Sequence, residues 1–221
     1  MPLALSLNLQ GMVLLVGAIQ GPLEVVTFVT LRTLTRLASQ TAWRVSHAFE
    51  PELATAWGLH DAKFTRSLYE HSLRASFWVA LPICVGLLIC GPWLLRIWTH
   101  GRVGMDFPLY CWFILSAMLS ALWYAALNLL KSANAHLRAA LWYLLSVVCG
   151  FVLAAALLRR TYVLSNAGIA LVLADLVMLI YLWLSVSAAL EVPLRELSRS
   201  MLDFRPLIRL IAERRVFHAT R

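Results

Sequence analysis

The sequence predicts an all-α integral membrane protein, a six-helix transmembrane bundle, and two observations carry that expectation. The 221 residues are 61% hydrophobic and only 14% charged, with a mean hydropathy of +0.77. A soluble domain is nearer 45–50% apolar and about 25% charged. Several separate runs also stay apolar over roughly 18–25 residues, the length that crosses a bilayer as a helix. Their continuity, without alternation, excludes barrel strands. Residues 1–190 form the predicted bundle and 191–221 a basic cytoplasmic tail.

The first span covers about 3–20, with Pro2 at a position that a helix start tolerates. Met1-Pro2-Leu3 lacks a basic leader, so no cleavable signal peptide is expected. Gly21-Pro22 separates it from the second span, about 23–49, which Glu50-Pro51-Glu52 stops before a polar stretch. The third span is about 75–97, and Pro82 and Gly91-Pro92 predict a kink because each proline removes a backbone hydrogen bond. Spans four, five and six follow at about 108–130, 139–158 and 167–190, separated by short polar turns. Ala117, Ala121 and Ala125, and again Gly150 and Ala154, make small-residue ridges of the kind that let membrane helices approach closely.

The formal net charge is +8, but the basic residues form no patch suited to nucleic acid. Of 19 Lys and Arg, twelve fall on the side holding residues 50–74, 131–138 and the tail, against four on the other side. That asymmetry predicts both termini in the cytoplasm, with anionic membrane lipid as the partner of the tail. Leu197, Met201, Leu202 and Phe204 interleave with arginines there, which fits either an interfacial amphipathic helix or an irregular anchor. The cysteines (Cys84, Cys90, Cys111 and Cys149) lie in apolar runs without metal-ligand spacing. No disulfide framework, metal site or cofactor is expected.

The second span is the candidate site. Arg32, Arg36, Gln40 and Arg44 recur every four residues and share one helix face, with His47 in the same arc. A cationic side chain at the bilayer centre costs about 2.5–3.5 kcal/mol on insertion scales, so such residues face water or protein. Guanidinium groups fork onto phosphate oxygens, so a cavity lined by them suits a diphosphate or another anion. The alternative is that Arg44 and His47 reach to the cytoplasmic interface while Arg32 pairs with Glu24 or Asp175. Asp175, inside the sixth span, reads either as a carrier of a coupling proton or as a neutralising partner for an arginine. Glu24 reads as a first-turn helix acid, with gating as the second possibility. Asn8, Gln10, Gln20 and Asn128 either line the cavity or bond across helices. Tryptophans at positions 43, 93, 98, 112, 123 and 142 lie mostly near span ends, where those at the ends read as an interfacial belt, with sugar stacking as the second possibility. No HExxH, P-loop or GxSxG motif is present, and no enzyme is expected.

The run Phe28-Val29-Thr30-Leu31-Arg32-Thr33-Leu34-Thr35-Arg36-Leu37, followed by Phe49-Glu50-Pro51-Glu52-Leu53-Ala54, resembles the polysaccharide flippases. These are the O-antigen type transporters of the multidrug, oligosaccharidyl-lipid and polysaccharide exporter superfamily. Trp57-Gly58-Leu59-His60-Asp61, the stretch Gly91 to Trp98 (Gly-Pro-Trp-Leu-Leu-Arg-Ile-Trp), and Asn166-Ala167-Gly168-Ile169-Ala170 extend the likeness over about 3–190. The resemblance is to the C-terminal six-helix half of a two-bundle exporter. It implies an inner-membrane transporter of polyprenyl-diphosphate-linked oligosaccharide for lipopolysaccharide or related polysaccharide. Alternating access between bundles is the implied mechanism, completed by a second bundle or a homodimer. Half-length equally allows a truncated, non-transporting subunit or remnant. A small-molecule exporter of the same superfamily would favour acids over arginines in its cavity.

Overall fold

Apolar periodicity becomes helix throughout: the structure, a computed structural model, describes residues 2–202, with side chains for 4–199 and 201, and no strand occurs among them. The elements are α1 (Pro2–Ser6), a π-helical turn (Leu7–Gly11), α2 (Met12–Gln20), α3 (Pro22–Ala48), α4 (Glu50–Gly58), α5 (Ala62–Trp98), α6 (Phe107–Ser132), α7 (His136–Thr161), α8 (Ser165–Leu190) and α9 (Leu194–Leu202).

Four helices, α5 to α8, are long and apolar enough to cross a membrane. The sequence predicts six spans, and the other two fall short for different reasons. The first is a shorter apolar helix, Ala4–Gln20, whose start is widened by the π turn. The second, α3, has 27 residues and length to spare, but its three arginines dilute its apolarity. Gly21, at φ +95°, makes the turn between these two helices, a backbone state that glycine alone adopts freely, and Pro22 then starts α3.

Two elements extend further than the sequence predicts. Pro51 does not end structure after α3; it occupies the first turn of a new helix, α4, where its missing N–H costs nothing. The third span begins thirteen residues early: α5 is capped by Asp61, whose Oδ1 accepts from Phe64 N at 2.9 Å, and runs 37 residues. At 1.5 Å per residue that is about 56 Å, well beyond a hydrocarbon core of about 30 Å. Its polar first turns carry Arg66, which bonds Glu70 at 2.8 Å and Glu196 of α9 at 2.8 Å. Leu197 of α9 is fully buried, so the start of the tail is docked on the bundle. The remainder of the tail, 203–221, lies outside the described residues.

Helix α5 continues through Pro82 and Pro92. Gly91 lies within the same continuous helix. Its bare Cα lets Tyr110 of α6 approach and donate from its hydroxyl to the Leu87 carbonyl at 2.7 Å.

Helix α6 is the axis, packing against α3, α5 and α8. Its alanine ridge is buried as the spacing predicts, with Ala121 and Ala125 fully covered. Gly150 and Ala154 likewise bury the inner face of α7, where Gly150 meets the Ala170 carbonyl of α8. Apolar packing divides into two large clusters. One, around Tyr69, Trp123, Leu127 and Met178, fills the end where α3 and α6 finish. The other, around Phe28, Leu109, Phe113 and Leu171, fills the opposite end.

Candidate functional site

A cleft of about 150 Å³ opens at the seam between those two clusters, lined from one side by Leu5, Asn8, Leu9, Arg32, Thr35, Arg36, Ser39 and Trp43. Phe113, Ser116, Ala117, Ser120, Trp123, Tyr143, Leu171 and Asp175 line the other. The arginine wall comes from the middle of α3, and the acid from the middle of α8.

Arg32 is held by the π turn. Its Nη1 donates to the carbonyls of Asn8 at 3.1 Å and Leu9 at 3.2 Å, and its Nη2 donates to Asn8 Oδ1 at 3.0 Å. A π turn shifts the backbone bonding from i−4 to i−5 and so loosens its carbonyls from their usual donors. A planar guanidinium satisfies several such acceptors at once. Its carbon also lies 5.7 Å from the Phe28 ring centroid, a cation–π contact. Three of its five N–H groups are thereby used, and the other two have no hydrogen-bond partner among the described residues. Asn8 in turn donates from Nδ2 to the buried Tyr143 hydroxyl at 3.0 Å, tying the π turn to α7.

One turn along, Arg36 is exposed into the same cleft, and its side chain makes no hydrogen bond or ion pair among the described residues. Asp175 lines the same cleft as the two arginines and is buried, at 5% exposure. It accepts from Ser116 Oγ and, at 3.1 Å, from Trp123 Nε1, both on α6. No carboxylate comes within 4.0 Å of Arg32 among the described residues, so Asp175 and Arg32 share the cleft without closing into an ion pair.

The lower half of the predicted stripe goes elsewhere. Gln40 and Arg44 are exposed on α3 and do not line the cleft. His47 sits outside it as well, bridging two elements: its Nδ1 is 2.6 Å from Glu50 Oε2 of α4 and its Nε2 2.6 Å from the Tyr124 hydroxyl of α6. Lys131 completes that cluster, 3.9 Å from Glu50 and 5.0 Å from the Tyr124 ring centroid. Glu24 occupies the first turn of α3, as its reading as a helix acid requires, and makes no ion pair among the described residues.

Trp123 and Trp43 depart from the predicted belt. Trp93, Trp98 and Trp142 are exposed near helix ends as a belt demands, but Trp123 is 2% exposed and serves Asp175. One signal in the sequence pointed there: Ser116 and Trp123 are seven residues apart, and therefore on one face of α6. Asn8 both lines the cavity and bonds across helices, whereas Asn128 only bonds across, donating to Ser46 Oγ at 3.0 Å. No group of three or more His, Cys, Asp or Glu suited to a metal occurs among the described residues.

The fold and site define the class no more finely than an all-α protein with four helices long and apolar enough to cross a bilayer and a charged cleft between its helices. No family model matches the chain, and no curated protein and no solved structure matches it.

Proposed function

We propose that the chain is a transporter of the inner membrane that moves polyprenyl-diphosphate-linked oligosaccharide between leaflets, with the diphosphate held at Arg36. The carrying observation is the unpaired Arg36 guanidinium, open in a mid-helix cleft beside an Arg32 that still has two N–H groups to give. Arginine meets phosphate oxygens with a planar fork, and a partly dry site strengthens that attraction. A drug-sized pocket measures roughly 300–1,000 Å³. This cleft, about half the lower bound or less, takes the head of such a lipid and leaves its sugars and polyprenyl chain outside. The resemblance of Phe28 to Leu37 and of the Pro51 and Gly91 stretches to polysaccharide flippases supports the same reading.

In this reading six helices span the membrane: α1 with α2, α3, and α5 to α8, with both termini cytoplasmic. Arg36 is then masked from lipid by a second bundle or a second copy, and the two bundles rock about the cleft. No group in the cleft is asked to make or break a covalent bond.

The test is complementation of a strain lacking its native lipid-linked oligosaccharide flippase, scored by surface polysaccharide. Restoration by the wild-type chain that is lost in Arg36→Ala supports both the transport and the site. Restoration that survives Arg36→Ala moves the diphosphate elsewhere. No restoration from a stably inserted chain overturns the transport reading in favour of a non-transporting subunit.

A further inference from the structure

We propose that the cleft recognises a zwitterionic head: a phosphate at the arginine wall and, a few atoms away in the same molecule, an ammonium at Asp175. The inference rests on the reading that this cleft takes a phosphate-bearing ligand, and adds that the ligand carries a second, opposite charge.

An anion site alone does not need Asp175. A buried carboxylate beside a phosphate site repels the ligand, and burying any charge without a counter-charge is costly. Asp175 nevertheless lies in the cleft with Arg32 and Arg36, and pairs with neither within 4.0 Å. Its two partners, Ser116 and Trp123, are neutral donors. They orient the carboxylate and occupy two of its roughly four acceptor positions, while the Arg32 charge acts on it across the cleft without a direct contact. Arg36, lining the same cleft, has no acid within 4.0 Å among the described residues. Arg32 and Asp175 are each held by their own hydrogen bonds, so the arginine wall and the carboxylate stay unclosed and are complementary to a ligand with the reverse arrangement between them. At about 150 Å³ the room suits a phosphate and an amine joined by a short linker. Phosphoethanolamine has that chemistry, and so does an amino sugar carried on a phosphate.

Two tryptophans of the lining, Trp43 and Trp123, provide the readout. The full chain in a non-ionic detergent is titrated with phosphoethanolamine and, separately, with glycerol 3-phosphate, which has the phosphate without the amine. Wild type is expected to bind phosphoethanolamine roughly tenfold or more tightly, the scale of one buried charge-assisted contact. Asp175→Asn preserves shape and an acceptor for Trp123, and is expected to abolish the preference by weakening phosphoethanolamine alone. Equal affinity of wild type for the two probes, together with no discrimination between the two lipids below, overturns the inference without recourse to any variant, and so does a preference that survives Asp175→Asn.

A second arm compares phosphatidylethanolamine with phosphatidylglycerol in nanodiscs. Discrimination only there identifies the source as a membrane lipid, and discrimination only with free probes identifies a soluble or sugar-borne group; both support the zwitterion. Complementation without discrimination sinks this inference and leaves the transport function standing. Discrimination without complementation does the reverse.

Discussion

Arg32 grips Asn8 twice, through its backbone carbonyl at 3.1 Å and its side-chain amide at 3.0 Å. Arg32 is thus part of the scaffold on one side and of the cleft on the other. Its neighbour Arg36 has no such structural work among the described residues, although both are arginines on one helix face.

That division separates stability from binding. Arg32→Ala strands the carbonyls of Asn8 and Leu9 and is expected to cost about 1–3 kcal/mol. Arg36→Ala is expected to stay within about 0.5 kcal/mol, as an exposed substitution does, while weakening phosphate binding. Thermal unfolding in detergent, run beside a titration with inorganic pyrophosphate, checks both. A cost at Arg36 equal to that at Arg32 contradicts the assignment.

Outside the cleft, His47 and Arg44 are expected to matter little for the ligand. Ion pairs as exposed as His47 with Glu50, at 46% and 34%, contribute about 0–1 kcal/mol. His47→Ala and Arg44→Ala should therefore leave pyrophosphate affinity within about twofold. A tenfold loss in either would extend the site down the whole stripe.

Gly91 and Tyr110 form a coupled pair. A Cβ at position 91 would fall on the Tyr110 hydroxyl, which sits there to reach the Leu87 carbonyl. Gly91→Ala is expected to destabilise by about 1–3 kcal/mol through overpacking. Tyr110→Phe alone should cost about 0.5–1.5 kcal/mol for the lost hydrogen bond. Because the phenylalanine removes the nearest of the clashing atoms, the hydroxyl, the double variant should be less destabilised than the sum of the two. Strict additivity in a thermal double-mutant cycle would refute the contact.

Docking of α9 rests on packing more than on charge. Leu197 is fully buried, and Leu197→Ala should cost about 2–5 kcal/mol or release α9 to protease. Glu196 meets Arg66 at 2.8 Å, but these side chains are 51% and 41% exposed, so Glu196→Ala should cost no more than about 1 kcal/mol. Limited proteolysis of the two variants distinguishes them, and an equal release of the tail by Glu196→Ala would make the ion pair the anchor.

Helix, length and burial in α6, α7 and α8 were legible in the sequence because apolar runs, small-residue ridges and short polar turns act over a few residues of chain. The arginine face of α3 was legible for the same reason: a four-residue spacing is a local property. Tertiary structure alone decided what that face meets. Arg32 is claimed by a π turn one helix earlier, Arg36 opens beside Asp175 from a helix near the far end of the chain, and His47 turns away to Glu50 and Tyr124. Those pairings depend on which helices pack together, and helix periodicity leaves that open. The same holds for Pro51, read as a stop, and Gly91, read as part of a kink: one starts a helix and the other receives a neighbour's side chain. A residue type restricts the local backbone, but what fills the space beside it is set by the rest of the fold.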